Sequence, residues 1–479
     1  MPRIYISAAH KSSGKTTLSI GLCAALHQQG LNVQPFKKGP DYIDPLWLAQ
    51  ASGLSGGQGC HNLDFNTMSD NEILATLQAF SKTADISIIE GNKGLYDGVA
   101  LDGSDSNAAM AKLTQSPVIL VIDTRGITRG VAPLLQGYQQ FDPDVNIAGV
   151  IYNLSSGGRH EKKLRAVTQE YTDIPVLGVV KTNPLLEIDE RHLGLMPSNE
   201  DNRASQKIAE IGRVIADSVD LTAFMEIAKN TPKVKTNASV STKINTDTAD
   251  TDKLRLGICE DAAFGFYYTG DKLALERAGA ELVSIDTLSD HALPDKLDGL
   301  FIGGGFPETK MQQLAENVSM RNSIHAAIEA GLPTYAECGG LMYLSKNIYW
   351  NGQSEPMVGI IPADVEMHKK PQGRGYVKLE ETKQMPWGKA TTQDKSSAAL
   401  INAHEFHYSR LKNLSSKGNF AYKVHRGVGI TGEYDGWVYK NLLANYSHMR
   451  DTLIYPWAER FVEFMRKHKK ELEKGKNKE

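Results

Sequence analysis

The sequence predicts two α/β domains in tandem, the first of them a P-loop, doubly wound parallel sheet. Three observations carry that expectation. Val- and Ile-rich runs alternate with amphipathic stretches in both halves, and a polar stretch divides the halves. A phosphate-loop string, Ser12-Ser13-Gly14-Lys15-Thr16-Thr17, follows a strand-like run in the first half, and a glycine run, Gly303-Gly304-Gly305, follows one in the second. A chain of 479 residues also exceeds one ordinary core.

In the first half, strands are expected at 3–7, 32–36, 86–90, 117–123, 145–153 and 175–180, with helices between them. The first α/β domain is therefore bounded at 1–228. Residues 229–253 hold few sizeable apolar side chains, too few to offset the cost of ordering them, so they read as a polar linker. A second α/β pattern spans 254–470, with strands starting at Leu254, Leu300 and Leu332. It closes in a helix from Trp457 to about Lys470, followed by a charged tail at 471–479.

Composition excludes several classes. Net charge is −3, from 53 Lys and Arg against 56 Asp and Glu, which gives no field suited to nucleic acid or an anionic membrane. No apolar run is long enough to span a bilayer, and Met1-Pro2-Arg3-Ile4 leads straight into a strand rather than a signal peptide. The four cysteines (Cys23, Cys60, Cys259 and Cys338) form no CxxC pair, which argues against a zinc module or a disulfide scaffold. The expectation is a cytoplasmic enzyme.

The first chemical signal is strand, phosphate loop, helix. Ser12, Ser13, Gly14, Lys15, Thr16 and Thr17 would bind ATP, with backbone N–H groups cradling the phosphates and Lys15 neutralising their oxygens. The Thr16 hydroxyl would hold Mg²⁺. Ala9 stands where the first glycine of the usual loop belongs. Asp41 and Asp44 follow the second strand, and Glu90 and Asp97 the third, at carboxyl ends where ligands bind in open α/β sheets. Mg²⁺ needs such carboxylates beside phosphate oxygens. Each of them alone could equally be a turn or cap residue.

The second signal is Ala336-Glu337-Cys338-Gly339-Gly340, set between a strand and a helix. Small residues two before and two after the cysteine permit a sharp elbow that exposes a nucleophile. A thiol at a helix N-terminus is favoured as thiolate. N–H groups of Gly304, Gly305 and Gly339 would form an oxyanion hole, and His448 would serve as base and then acid. The plain alternative for Cys338 is a small core residue. Spacing alone does not single out His448, because 13 histidines compete. His404 and His407 lack a third ligand and read as structural.

With these strings in view the chain resembles the cobyrinic acid a,c-diamide synthases, glutamine-dependent tetrapyrrole amidotransferases. The matching residues are Phe36-Lys37-Lys38-Gly39-Pro40-Asp41-Tyr42-Ile43-Asp44-Pro45, Glu90-Gly91 with Gly94-Leu95-Tyr96-Asp97-Gly98, and Arg191-His192-Leu193-Gly194-Leu195, with Gly303–Glu308, Tyr335–Leu344 and His404–Ser409 in the second half. The resemblance implies a dethiobiotin-synthetase-like domain followed by a class I glutamine amidotransferase domain of flavodoxin-like α/β fold. It implies Cys338 as nucleophile and His448 as base, ATP and Mg²⁺ at Lys15 and Thr16, and metal ligation by Thr16, Asp41, Asp44 and Glu90. Substrate contacts would come from Lys37, Tyr42, Asp97, Arg191 and His192. Glutamine and a tetrapyrrole carboxylate are the implied partners, most directly cobyrinate, and the resemblance leaves room for a homodimer.

The chain departs from the family's pattern in its phosphate loop, at Lys93, and at Arg450, where relatives tend to carry a second histidine. Many class I amidotransferases have an acid two residues after the base, and Arg450 is not one. The glutaminase is thus expected to work as a Cys–His pair or with an unnamed helper. The charges of His10, Lys11 and Lys93 keep a sirohydrochlorin-derived ring (sirohaem or nickel sirohydrochlorin) as the alternative substrate. Competing classes are a P-loop ATPase switch with a non-catalytic second domain, and a carboxylase of the dethiobiotin type.

Overall fold

Aliphatic runs in the first half become central strands because both of their faces are covered by other elements. A computed structural model describes the chain except residues 55–58, 192–193, 202, 234–252, 389–399, 415–417 and 477–479. It divides into two compact units, Met1–Asn245 and Thr246–Glu479. The expected linker lies mostly outside the described residues; on its near side Lys229 closes the helix Leu221–Lys229.

The first unit holds β1 (Arg3–Ala8), β2 (Val33–Lys38), β3 (His61–Leu63), β4 (Ile86–Gly94), β5 (Val118–Asp123), β6 (Ile147–Ser155) and β7 (Val176–Lys181). They form one sheet in the order β3-β2-β4-β1-β5-β6-β7, parallel throughout. This order makes β2, β4 and β1 neighbours, so the turns at their carboxyl ends converge. α1 (Lys15–Gln28) follows β1 and packs on the helix Ala204–Ser218, where Gly21 and Gly212 allow close approach. α2 (Ile43–Ala51) follows β2. Six of the seven strands match the expected runs within a few residues. The short His-Asn-Leu strand β3 was not foreseen, having one aliphatic residue and no room for periodicity. A two-residue ladder, β8 (Glu190–Arg191) with β9 (Gly194–Leu195), follows β7.

The second unit carries a mixed sheet. Its strands are β10 (Leu254–Cys259), β11 (Phe264–Phe266), β12 (Ala280–Ile285), β13 (Gly299–Ile302), β14 (Gly304–Gly305), β15 (Thr334–Glu337), β16 (Asn347–Trp350), β17 (Gln353–Pro356), β18 (Asp364–Met367), β19 (Gly373–Glu381), β20 (Ile401–His407), β21 (Ser409–Lys412), β22 (Asn419–Arg426), β23 (Tyr434–Tyr439) and β24 (Leu442–Asn445). The main sheet runs β12-β10-β13-β15-β24-β23-β22-β19-β20. From β12 to β24 all pairings are parallel; from β24 to β20 they are antiparallel. The parallel part is the α/β core that the sequence predicts. The antiparallel extension is additional, and a smaller sheet β17-β16-β18-β21 sits beside it. The helix Trp457–Lys476 covers one face through Trp457, Phe461, Val462 and Met465, at i, i+4 and i+5, i+8 spacing. It continues past the expected end at Lys470, because its Lys and Glu residues are good helix formers that need no burial.

Candidate active sites

The phosphate loop is built by the turn out of β1. Ser12 and Gly14 take positive φ angles (62° and 76°), which bends the chain so that α1 starts at Lys15. A Cβ at Gly14 would lie 2.2 Å from Asn153 Nδ2, which itself donates to the Ser13 carbonyl at 2.9 Å. Asn153 lies two residues before the end of β6 and thereby steadies the loop, a role with no motif to announce it. Ser13 is buried and its hydroxyl donates to the His10 carbonyl at 2.8 Å. Thr17 lies in the first turn of α1.

Beside the loop, three strand ends bring six predicted residues together. The Thr16 hydroxyl lies 2.7 Å from Glu90 Oε1 and 3.1 Å from Asp44 Oδ2. Lys15 pairs with Glu90, and Lys37 pairs with Asp44. Lys37 Nζ is also 3.2 Å from Glu90 Oε1 and 3.6 Å from Asp41 Oδ2. Lys37 is thus the buried hub of three carboxylates.

The charges tune one another. Burial opposes the Lys37 ammonium, yet Asp44, Glu90 and Asp41 outweigh it and hold Lys37 well above the usual lysine range. For Lys15 burial prevails over Glu90 and the shift is downward. Partial burial opposes the Asp44 carboxylate, but Lys37 and then Lys15 keep its carboxyl below the usual range. Burial, followed by the neighbouring Asp44, raises Asp41 to about 6.

The oxygen donors fit Mg²⁺. Glu90 is fully buried, and its Oε2 has no hydrogen-bond partner among the described residues. Thr16, Asp44 and Glu90 present hard oxygens, and Mg²⁺ is usually held by one or two carboxylates together with substrate phosphates. Among the described residues no group of three or more His, Cys, Asp or Glu is arranged to hold a metal unaided. Asp41 spends Oδ1 on the Ile43 and Asp44 N–H groups at 3.0 and 3.1 Å, capping α2, so its part is at least partly structural. Asp97 accepts the Gly94 N–H at 3.1 Å and closes the turn after β4, beside the phosphate loop. Tyr42 sits at the N-cap position of α2. Arg191 contributes backbone to the β8–β9 ladder, while its side chain and His192 lie outside the described residues.

In the second unit the neighbours β13, β15 and β24 deliver the thiol site. Cys338 takes φ 47° and ψ −99°, the strained turn of a nucleophile elbow, between β15 and the helix Gly339–Leu344. A Cβ on Gly340 would meet the Ile302 carbonyl oxygen at 2.1 Å, so only glycine lets the elbow helix rest on β13. Gly305 lies against Gly339, and Gly304 against His448, where an added Cβ would be 2.6 Å from Cε1. Gly303 is different, because its N–H donates to the Tyr267 hydroxyl at 2.8 Å. Its N–H is thus already engaged, whereas Gly304, Gly305 and Gly339 are the glycines that lie beside His448 and the elbow.

β15 and β24 pair in parallel with Glu337 opposite Asn445, and the Cys338 N–H donates to the Asn445 carbonyl at 2.7 Å. The chain continues from β24 to His448, whose imidazole reaches the Cys338 thiol. Burial alone would depress His448. The Cys338 thiol and then Glu337 outweigh it and push the imidazole up to about 10. Glu337 Oε2 stands 3.4 Å from His448 Nδ1. The expectation left open a Cys–His pair or a pair with an unnamed helper; a buried carboxylate does face the imidazole, and it belongs to the residue immediately before Cys338. His404 stacks on His448 with ring centroids 5.0 Å apart and planes 17° apart.

Residues 5–195 match the model of the CobQ/CobB/MinD/ParA nucleotide binding domain, and residues 255–450 that of the CobB/CobQ-like glutamine amidotransferase domain. The cobyrinate a,c-diamide synthase of Magnetococcus marinus is 41% identical over 97% of each chain. The chain belongs to the cobyrinate a,c-diamide synthase family. The enzyme of that name from Methanosarcina acetivorans is 39% identical, covering 97% of this chain and 95% of its own. That of Listeria monocytogenes serotype 4b is 37% identical over 94% of this chain and 96% of its own.

The structure brings Lys15, Thr16, Lys37, Asp41, Asp44 and Glu90 together in the first unit, and Cys338 and His448 together in the second. Asn153, Glu337 and His404 were missed as site residues. Asn153 follows a Val/Ile run, where a polar strand end is a usable signal. His404 and His407 lie three apart on β20, so they face opposite sides; His407 stacks on Tyr446 instead, at 4.0 Å. No helix among the described residues is long and apolar enough to cross a membrane.

Proposed function

We propose that the enzyme amidates the a and c acetate carboxylates of cobyrinate, using ATP and the side-chain amide of glutamine. What supports this most is the near-full-length likeness to several synthases of that name, in a chain whose thiol elbow and phosphate loop are both built. Cys338 attacks the glutamine amide carbon, and Gly304, Gly305 and Gly339 N–H groups receive the developing oxyanion. His448, which holds its proton at neutral pH, passes it to the departing nitrogen. Ammonia leaves, and water then releases glutamate from the thioester.

In the first unit Ser12, Ser13 and Gly14 cradle the phosphates, Lys15 offsets their charge, and Thr17 lies beside them in the first turn of α1. Thr16, Asp44 and Glu90 would hold Mg²⁺, with Asp41 in support. Bound there, Mg²⁺ supplies charge neutralisation at the phosphate oxygens. Lys37 steers the substrate carboxylate, with Tyr42, Asp97, Arg191 and His192 as further contacts. The carboxylate oxygen attacks the γ-phosphorus and ADP departs; ammonia then attacks the acyl carbon and phosphate leaves. The setting is cytoplasmic, and a homodimer is compatible with this reading.

A buried Cys–His–Glu constellation has no purpose in an ATPase switch, which weighs against that class. Two measurements test the proposal. Cys338→Ser should abolish glutamine hydrolysis while amidation driven by ammonium chloride persists, and unchanged ammonia release would sink it. Mass spectrometry after incubation with cobyrinate, sirohaem or nickel sirohydrochlorin, with ATP, Mg²⁺ and glutamine, should show two stepwise amidations of cobyrinate.

A further inference from the structure

We infer that Glu337 is the positioning residue of the glutaminase: its carboxylate fixes the tautomer and orientation of His448 from the position immediately before the nucleophile. The inference rests on the assignment of Cys338 and His448 made above.

Glu337 is buried, and its two oxygens are divided between two tasks. Oε1 accepts the Tyr335 hydroxyl at 2.5 Å and the Met449 N–H at 2.9 Å, so the carboxylate is held from its own strand and from the residue after His448. Oε2 is left facing His448 Nδ1 at 3.4 Å. That is long for a hydrogen bond, as bonds in catalytic groups commonly are before substrate binds. A carboxylate at Nδ1 favours the proton there, which directs Nε2 to the thiol, and it stabilises the imidazolium.

The register explains why the acid comes from this place. Glu337 pairs with Asn445 across β15 and β24, so the last residue of one strand lies beside the segment that leaves the other. Cys338 then turns away at positive φ. Arg450, where other class I enzymes carry an acid, instead lies over the Tyr268 ring at 4.7 Å. The groups facing His448 are Cys338, Glu337 and His404, and Arg450 acts on His404.

The test uses the full-length enzyme. Glu337→Gln keeps the size and an acceptor for Tyr335 and Met449 but removes the charge. It should lower kcat/KM for glutamine hydrolysis by about 10²–10⁴-fold, as loss of an orienting carboxylate does elsewhere. Ammonium-driven amidation should stay within about twofold. The basic limb of the glutaminase pH profile should move to lower pH, because the imidazolium loses its counter-charge; a purely structural anchor would not move it. Glutaminase in E337Q within about threefold of the native rate, or an unmoved basic limb, overturns the inference. If E337Q fails to fold, which loss of the melting transition of the second unit would report, E337D decides. It should exceed E337Q in glutaminase per folded enzyme, and failure to do so overturns the inference. C338S separates the two readings: if it leaves ammonia release intact, the assignment of the nucleophile falls, whatever Glu337 does.

Discussion

Replacing Gly340 by alanine probes whether the elbow's geometry depends on backbone contact. The added Cβ would stand 2.1 Å from the Ile302 carbonyl oxygen, 2.9 Å from its carbon and 3.1 Å from its Cβ. These atoms belong to β13, a strand paired on both sides, so no flexible side chain can yield. Ordinary contact requires the elbow helix to move outward by roughly 1 Å, a strain of about 1–3 kcal/mol for overpacking. A catalytic group displaced by that much costs on the order of 10²-fold in rate. G340A should therefore lose glutaminase about 100-fold, keep ammonium-driven amidation, and lower the melting temperature of the second unit by roughly 2–10 °C. Gly270, inside the helix Thr269–Arg277 with nothing within 4 Å of its Cβ position, is the control. G270A should leave glutaminase unchanged and be neutral or stabilising by up to about 1 kcal/mol. Native glutaminase and melting temperature in G340A would refute the reasoning.

Two further outcomes follow from the first unit. Lys15→Ala should remove ATP-dependent amidation by at least about 10³-fold even with saturating ammonium, measured by product mass, because no other cation stands in the first turn of α1. Asp41→Asn should stabilise the unit near pH 7.5 and do so less at pH 4. The folded carboxyl titrates at about 6, above its unfolded value, so its contribution is favourable at low pH and is lost as pH rises through 6. Asparagine retains the oxygen that caps α2. Thermal melts across pH check the sign, and a drop in stability at pH 7.5 would show that pairing with Lys37 outweighs burial.

The sequence makes some elements of this chain plain and hides others, for physical reasons. β1, the phosphate loop and α1 are contiguous, and each has a chemical signature. The same is true of β15, Cys338 and the two glycines that follow. His448 stood out among its rivals only through family resemblance, because its partnership with Cys338 is made by strand adjacency. Glu337 was printed beside the nucleophile, yet its role depends on the pairing of β15 with β24, more than a hundred positions apart. The antiparallel strands went unforeseen although Tyr376-Val377-Lys378-Leu379-Glu380 alternates and buries Val377 and Leu379. Glycine and charge around that alternation masked its period of two.

The direct parallel pairing of β15 with β24 also bears on how such a chain can change over evolutionary time. Everything from the elbow helix to β23 is an excursion that departs from one strand and returns to its immediate neighbour. Lengthening such an excursion costs little more closure entropy, since that cost grows only with the logarithm of its length. The small side sheet and the antiparallel extension can therefore be enlarged, trimmed or re-surfaced while Cys338 and His448 are returned to the same spacing. Diversification among relatives should gather in this span outside the elbow helix and His404–Ser409, with the glutaminase chemistry left as it was.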